Sequence, residues 1–383
     1  MKGSVSAIVL AAGYSSRMGK FKPLLPLGDT TIIERVVDLF RKSGIKDIRV
    51  VTGYRAGELS PLLKKTGVSC IANEDFKEGM FSSVKAGVKG LDQNLRAFFI
   101  LPVDIPLVRP QTIRLLLRSY EKGIGEIIYP CFHGRRGHPP LISSRFAKEI
   151  TCWKGEGGLR SFLKQYEQFA ADVMVADEFI LFDLDKPADY QRLLKEYGRY
   201  GVPTTRECLA LMTENFAVEK PVLDHCKAVS RLALGLGRAL NMTGSEMDLD
   251  LLVAAGLLHD LAREQSHHAT VAAQILAETG FPDVAEIVGA HMDIVIHDED
   301  SIDEREVLYL ADKLVQEDQT VPLETRFREM MEYYADEPEV RTTILLRLNN
   351  ALRIKQRLET TIGKSLENIL KELPTGHSDD LLA

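Results

Sequence analysis

The stretch IVLAAGYSSRMGKFKPLLPLG, Ile8–Gly28, decides the fold of the first half of the chain. A run of apolar and small residues passes into Gly13, Ser15, Ser16, Arg17, Gly19, Lys20 and Lys22. A signal peptide fits it poorly. Lys2 is a thin positive region, the apolar run Val5–Ala12 is short, and cationic residues follow without a cleavage site. A Walker A loop needs G-x-x-x-x-G-K-[ST]. Here five residues separate Gly13 from Gly19, and Phe21 stands where the magnesium-binding hydroxyl belongs. What remains is a buried strand leaving into an anion-binding loop. Glycine and serine let backbone N–H groups face a phosphate, and Arg17 and Lys22 add charge.

Working outward, residues 1–197 alternate short apolar runs with amphipathic segments. Strands are expected at Ala7–Ala11, Ile48–Thr52, Val68–Ala72, Ala97–Val103, Glu126–Pro130 and Asp172–Val175, with helices such as Thr31–Ser43 and Gln111–Lys122 between them. Apolar strands separated by helices give a Rossmann-like, mostly parallel α/β sheet covered on both faces. Residues 198–205 read as a linker, because from 206 to 370 the period is helical and strand signals vanish. Residues 371–383 read as a flexible tail. The chain has 383 residues, a net charge of −7, 45% hydrophobic and 27% charged residues, and no membrane-length apolar run. That is room for two cores, and it argues against nucleic-acid and membrane partners. The five cysteines show no C-x-x-C pair and read as reduced thiols of a cytoplasmic protein.

In an open parallel sheet, ligands bind beyond the carboxyl ends of the strands. Asp104 ends the apolar run 97–103 there, and Asp183 and Asp185, two apart, share one side of an extended segment. Carboxylates at that edge suit Mg²⁺ bridging phosphate oxygens, with Asp185 preferred to Asp183 as the second ligand beside Asp104.

The motif L-A-A-G-x-S-x-R-M-G-x-x-K-x-L-L-P-L-G resembles the signature of MobA-like nucleotidyltransferases related to molybdenum-cofactor guanylyl- and cytidylyltransferases, a GT-A-like fold. EGMFSSVKAG (Glu78–Gly87), LPVDIPLV (Leu101–Val108), RRGHPPLIS (Arg135–Ser143), GEGGLRSFL (Gly155–Leu163) and FDLDKPADY (Phe182–Tyr190) follow in the family's order. The resemblance implies Mg²⁺-dependent transfer from an NTP to a phosphorylated acceptor, with release of pyrophosphate. It assigns Leu10, Ala11, Ala12, Gly13, Arg17, Lys22, Gly79, Ser82 and Ser83 to the nucleotide, and Gly137, His138 and Pro139 to the acceptor. Arg17, Lys22 and Asp104 would carry the catalysis. Ala12 and the GHPPL segment lean toward CTP and toward molybdopterin bearing molybdenum. A molybdoenzyme or its chaperone would then be a partner. Glu156 and Lys186 depart from the family's aspartate and threonine on the acceptor side, which leaves a sugar or alcohol phosphate as an alternative acceptor.

The helical half carries His225, the doublet His259–Asp260, His268, His291 and Asp312. An aspartate beside the buried stripe of VLYLADKLV needs a partner, and a metal would supply one. The order H…HD…D resembles the HD-domain metal-dependent phosphohydrolases. The resemblance implies a divalent transition metal (Fe, Mn, Co, Ni or Zn) on His225, His259, Asp260 and Asp312, with His268 and His291 on a second metal or a phosphate. Such a metal lowers the pKa of bound water for attack on phosphorus. His267 and His297 are expected in solvent. Arg263, where many active members carry lysine, and the lone histidine at 291 leave a nucleotide-sensing HD module as the alternative. Residues 336–370 suggest a helix that covers the HD core or pairs two copies as a homodimer.

Overall fold

The opening apolar run becomes the strand Val5–Ala11, the centre of an eight-stranded sheet. The computed structural model describes residues 4–373 other than Gln93, Asp298 and Asp300, and the chain divides into units 1–200 and 201–383. In the first unit the strand order is Ala170–Met174, Ile127–Phe132, Leu141–Ser143, Ala97–Pro102, Val5–Ala11, Asp47–Thr52 and Ser69–Ala72, with Arg135–Arg136 paired to Ile127–Phe132. The central strand is parallel to both neighbours, with Ala11 opposite Thr52 and Leu10 opposite Pro102. Alternate side chains explain why it is apolar from Ala7 onward. Ile8, Leu10, Phe98 and Ile100 pack toward Val84 and Val88 of the helix Met80–Lys89. On the opposite face, Phe99 meets Phe40 of the helix Ile32–Lys42, with ring centroids 5.8 Å apart. Both faces are buried, as a parallel sheet requires.

From the first strand the chain moves to Asp47–Thr52 and Ser69–Ala72 on one side, then returns to Ala97–Pro102 on the other. The carboxyl ends of Val5–Ala11 and Ala97–Pro102 therefore border the point where strand order reverses, which is where open α/β sheets hold ligands. The mostly parallel α/β fold read from the sequence is the fold observed. Two details differ. Leu141–Ser143 is an antiparallel strand wedged between two parallel ones, and three residues following two prolines carry no periodic signal. Ser69–Ala72 lies at the sheet edge and is largely exposed rather than buried.

The helix Pro187–Gly198 closes the first unit's secondary structure, and the next helix, Thr205–Ala210, starts where the Thr204 hydroxyl accepts from the Glu207 amide at 3.2 Å. The second unit is helical, as expected, apart from a two-residue ladder between Val315–Gln316 and Gln319–Thr320. The expected tail is corrected at its start. Lys371 and Glu372 belong to the helix Leu366–Glu372, anchored by buried Leu366 and Ile369, while 374–383 lie outside the described residues. No helix among the described residues is long and apolar enough to cross a membrane.

The helices Lys220–Asn241 and Leu249–Leu258 form the spine of this unit, and they meet at Gly256. A Cβ there would lie 2.5 Å from the Ser230 Cα, a backbone atom that cannot swing aside. The Ser230 hydroxyl donates to the Val253 carbonyl at 2.9 Å across the same contact. Gly256→Ala should therefore push the two helices apart and destabilise the protein by about 1–3 kcal/mol, as overpacking does. Denaturant unfolding measures this, and an unchanged midpoint would refute the close-packing argument.

Candidate functional site

At the reversal point of the sheet, the loop 12–21 leaves the first strand and ends in the short 3-10 turn Lys22–Leu24. The Ser15 hydroxyl accepts from the Lys22 amide at 3.1 Å, which sets the lysine's direction. Lys22 is only 8% exposed. Its Nζ lies 3.0 Å from Asp104 Oδ2 and 3.2 Å from Asp185 Oδ1, while Arg17 Nη1 lies 2.6 Å from Asp185 Oδ2. Asp104 follows the strand Ala97–Pro102, and its carbonyl accepts from the Leu184 amide at 2.9 Å, drawing in the segment that carries both other carboxylates. In that segment Phe182 and Leu184 are buried, so Asp183 and Asp185 turn outward into the cleft. Asp189 accepts from the Asp185 and Lys186 amides at 2.9 and 2.7 Å and fixes the segment's end.

Two chambers of about 360 Å³ each adjoin here. Leu10, Ala11, Ala12, Gly13, Gly79 and Ser83 line one; Arg17, His138, Asp183 and Asp185 line the other. Lys22 and Asp104 line both. Ser82, Gly137 and Pro139 line neither. Ser82 and Ser83 both accept from the Asn73 side-chain amide, at 2.9 and 3.0 Å, and Ser82 donates to the Gly79 carbonyl at 2.8 Å. Gly137 has a packing reason, since a Cβ there would lie 2.5 Å from the Ile180 carbonyl oxygen. Burial, reinforced by Asp104 and Asp185, raises the Asp183 carboxyl above its ordinary range. Burial lowers the His138 imidazole against the pull of Asp104.

In the second unit, five elements bring six side chains together. His225 lies in the second turn of the helix Lys220–Asn241, not at its start. His259 and Asp260 follow the helix Leu249–Leu258, His268 opens the helix His268–Glu278, His291 follows Pro282–Gly289, and Asp312 ends Glu304–Lys313. The Nδ1 atoms of His225, His259 and His291 lie 2.8, 2.9 and 2.7 Å from the carbonyls of Glu317, Gly256 and Val288. A carbonyl only accepts, so each Nδ1 carries the proton and Nε2 is the atom turned to the cluster, with a lone pair wherever the ring is neutral. These lone pairs face carboxylates. His225 Nε2 is 3.2 Å from Asp312 Oδ1, His259 Nε2 is 3.5 Å from Asp260 Oδ2, and His291 Nε2 is 3.7 Å from Asp260 Oδ1.

His259 Nε2 is buried with no hydrogen-bond partner. Lone pairs opposed to carboxylate oxygens repel unless a cation stands between them, so this donor set fits a metal. Two groups of three ligands, His225–His259–Asp260 and Asp260–His268–His291, share Asp260, each with its ligand atoms within 4.8 Å of one another. Burial lowers His259 and His268, and drives His291 down to about 3. Burial opposes ionisation of Asp312, yet Lys313 and His225 hold its carboxyl well below the usual range. Asp260 is likewise held low, against its burial, by His259 and Arg263. His267 and His297 are exposed.

Sequence reasoning missed part of both sites. Tyr14, Phe76 and Met80 complete the first chamber, and Lys313, Arg326 and Arg347 line the cleft beside the histidines. Lys313 carried a signal, a charge inside the apolar run VLYLADKLV. Arg326 and Arg347 carried none.

Residues 7–169 match the family described as the MobA-like NTP transferase domain, and residues 222–316 match the HD domain. The molybdenum cofactor cytidylyltransferase of Escherichia coli (strain K12) is 27% identical over 198 residues, 51% of this chain and 97% of its own length. The nicotine blue oxidoreductase of Paenarthrobacter nicotinovorans is 28% identical over 197 residues, 50% of this chain and 96% of its own. Rv0371c of Mycobacterium tuberculosis H37Rv is a solved structure with 25% identity and a TM-score of 0.45, covering 51% of this chain and 100% of that one. Two relatives of nearly equal identity are named for different chemistry, so identity at this level fixes the domain and leaves the substrate open.

The histidine–aspartate geometry makes a direct prediction. Elemental analysis of dialysed protein should find a divalent transition metal that disappears in His259→Ala and persists in His267→Ala, whose side chain is in solvent. Retention of the metal by His259→Ala would show that this cluster does not hold it.

Proposed function

We propose that this chain, which joins a MobA-like NTP transferase domain to an HD domain, transfers a nucleotidyl group at its first site and hydrolyses a phosphate ester or anhydride at its second. The observation that carries the first assignment is Lys22, buried between Asp104 and Asp185 on the wall shared by two chambers. A nucleotide held along Leu10–Gly13, Gly79 and Ser83 would place its α-phosphate beside Lys22. An acceptor phosphate in the chamber of His138 and Asp183 would approach from the other side. Its oxygen forms the new bond to the α-phosphorus as the bond to the β-phosphate oxygen breaks, and pyrophosphate leaves with the electron pair. Lys22 and Arg17 stabilise the charge that builds on the phosphoryl oxygens, so no covalent protein intermediate is required. Mg²⁺ on Asp104 and Asp185, with Asp183 beside them, would supply Lewis acidity to those oxygens.

CTP is the favoured donor because Ala12 lies on the nucleotide wall and a relative across the same half is a cytidylyltransferase. Molybdopterin bearing molybdenum is the favoured acceptor on the same ground; a sugar or alcohol phosphate is the alternative. Delivery to a molybdoenzyme or its chaperone would follow from the first choice.

For the second site, the observation is the convergence of three Nε2 lone pairs on Asp260 and Asp312. A divalent transition metal there would supply Lewis acidity and an activated water. A sensing role has its own support: Arg263 already donates to Asp260, and Lys313 lies 2.6 Å from Asp312, which compensates both carboxylates from within the chain. Metal without hydrolysis of any phosphoester in a panel would decide for sensing.

Incubated with each NTP, Mg²⁺ and molybdopterin, the protein should release pyrophosphate fastest with CTP. Lys22→Met should lower kcat/KM about 10²–10³-fold, the size of losing one pre-positioned charge at a phosphoryl centre. Release with no NTP, or full activity in Lys22→Met, would overturn the assignment.

A further inference from the structure

The cleft beside the histidine cluster has a volume of about 310 Å³ and is lined by Arg263, Lys313, Arg326 and Arg347 against only two carboxylates, Asp260 and Asp312. Such a volume falls at the small end of organic ligand sites, roughly 300–1,000 Å³. The four cations form two tiers. Arg263 donates to Asp260, and Lys313 Nζ lies 2.6 Å from Asp312 Oδ2, so the inner tier sits on the ligand carboxylates themselves. The outer tier comes from later helices, Arg326 from Leu323–Tyr333 and Arg347 from Pro338–Ile362. Both helices lie beyond residues 222–316, the part that matches the HD domain.

The outer arginines are held in place without being neutralised in full. Arg326 donates through Nη1 to the carbonyls of Asp312 and Val315, which anchors it, while its Nη2 is 3.9 Å from Asp312 Oδ1. Arg347 binds Asp293 through Nε and Nη2 at 3.0 Å each, but the Asp293 side chain is 68% exposed and the Arg347 side chain 20%. The fork is bidentate, but its carboxylate is mostly solvated, so an anion in the cleft competes with it for the guanidinium. One phosphoryl group at the histidine cluster would engage the inner tier. The outer tier offers a second set of forked donors suited to another phosphoryl group. Met292 and Met330 supply a soft apolar wall for an organic portion.

We propose that the two helices following the HD segment make this site a receptor for an organic diphosphate, with one phosphoryl group at the histidine–aspartate cluster and the next on Arg326 and Arg347. The proposal rests on reading that cluster as a phosphate-handling metal site. Inorganic pyrophosphate and orthophosphate are the probes. Full-length Lys22→Met protein, in which the phosphate loop of the first unit is disabled, is dialysed to equilibrium with each probe at one fixed free Mn²⁺ concentration, and bound Mn²⁺ at the histidine cluster is taken as the amount lost when His259→Ala is added.

Pyrophosphate should bind about tenfold tighter than orthophosphate, the worth of one charge-assisted contact set. Adding Arg347→Gln should remove that preference with bound Mn²⁺ unchanged. Adding Asp293→Asn should strengthen pyrophosphate binding, because it removes the competing carboxylate, and a merely structural role for Arg347 would not give that gain. Equal affinity for the two probes, or a preference that survives Arg347→Gln, would overturn the proposal while bound Mn²⁺ leaves the metal site standing. An Arg347-dependent preference without bound Mn²⁺ would uphold the receptor and overturn the metal-site reading instead.

Discussion

A carboxylate withdrawn from water must meet positive charge, and both units of this chain are organised around that constraint. In the first unit Asp104 and Asp185 approach one another at the mouth of the sheet, which is tolerable because Lys22 stands between them. The lysine reaches that place because the loop from the central strand folds back through the Ser15 hydroxyl and the 3-10 turn. In the second unit Asp260 and Asp312 are almost wholly buried. There the compensation comes from Lys313, Arg263 and Arg326. The packing of Gly256 against Ser230 allows the helix bearing His225 to lie close to the one that delivers His259 and Asp260.

Much of this was legible in the residues because its causes are local. Strands buried on both faces are apolar at nearly every position, so Val5–Ala11 and Ala97–Pro102 announce themselves. The outward pair Asp183 and Asp185 follows from alternation with Phe182 and Leu184, a pattern of period two that needs no long-range information. The histidine–aspartate doublet ends an apolar helix, where a buried polar pair has few explanations other than a ligand role.

What the residues did not disclose is set by distant partners. Leu141–Ser143 is a strand only because two parallel strands leave a gap between them. The hairpin at Glu317 is too short for periodicity, yet its carbonyl fixes the tautomer of His225, a residue 92 positions earlier. Arg326 and Arg347 sit in helices of ordinary charged composition, and nothing in their spacing separates them from solvated neighbours such as Arg328. Only the packing of those helices over the histidine cluster distinguishes them.

The two sites differ in what each lacks. At the first, Lys22 and Arg17 donate to Asp104 and Asp185, and the buried Nδ1 of His138 is left without a hydrogen-bond partner. At the second, cations of the chain balance the charge of Asp260 and Asp312, but the buried Nε2 of His259 has no hydrogen-bond partner, while that of His225 lies 3.2 Å from Asp312 and that of His291 3.3 Å from His268. Arg263 and Lys313 donate to the carboxylates rather than to the His259 nitrogen. The missing component is an electron-pair acceptor reached by several nitrogens and oxygens at once. A divalent cation meets that requirement, whereas a single proton can satisfy one lone pair only.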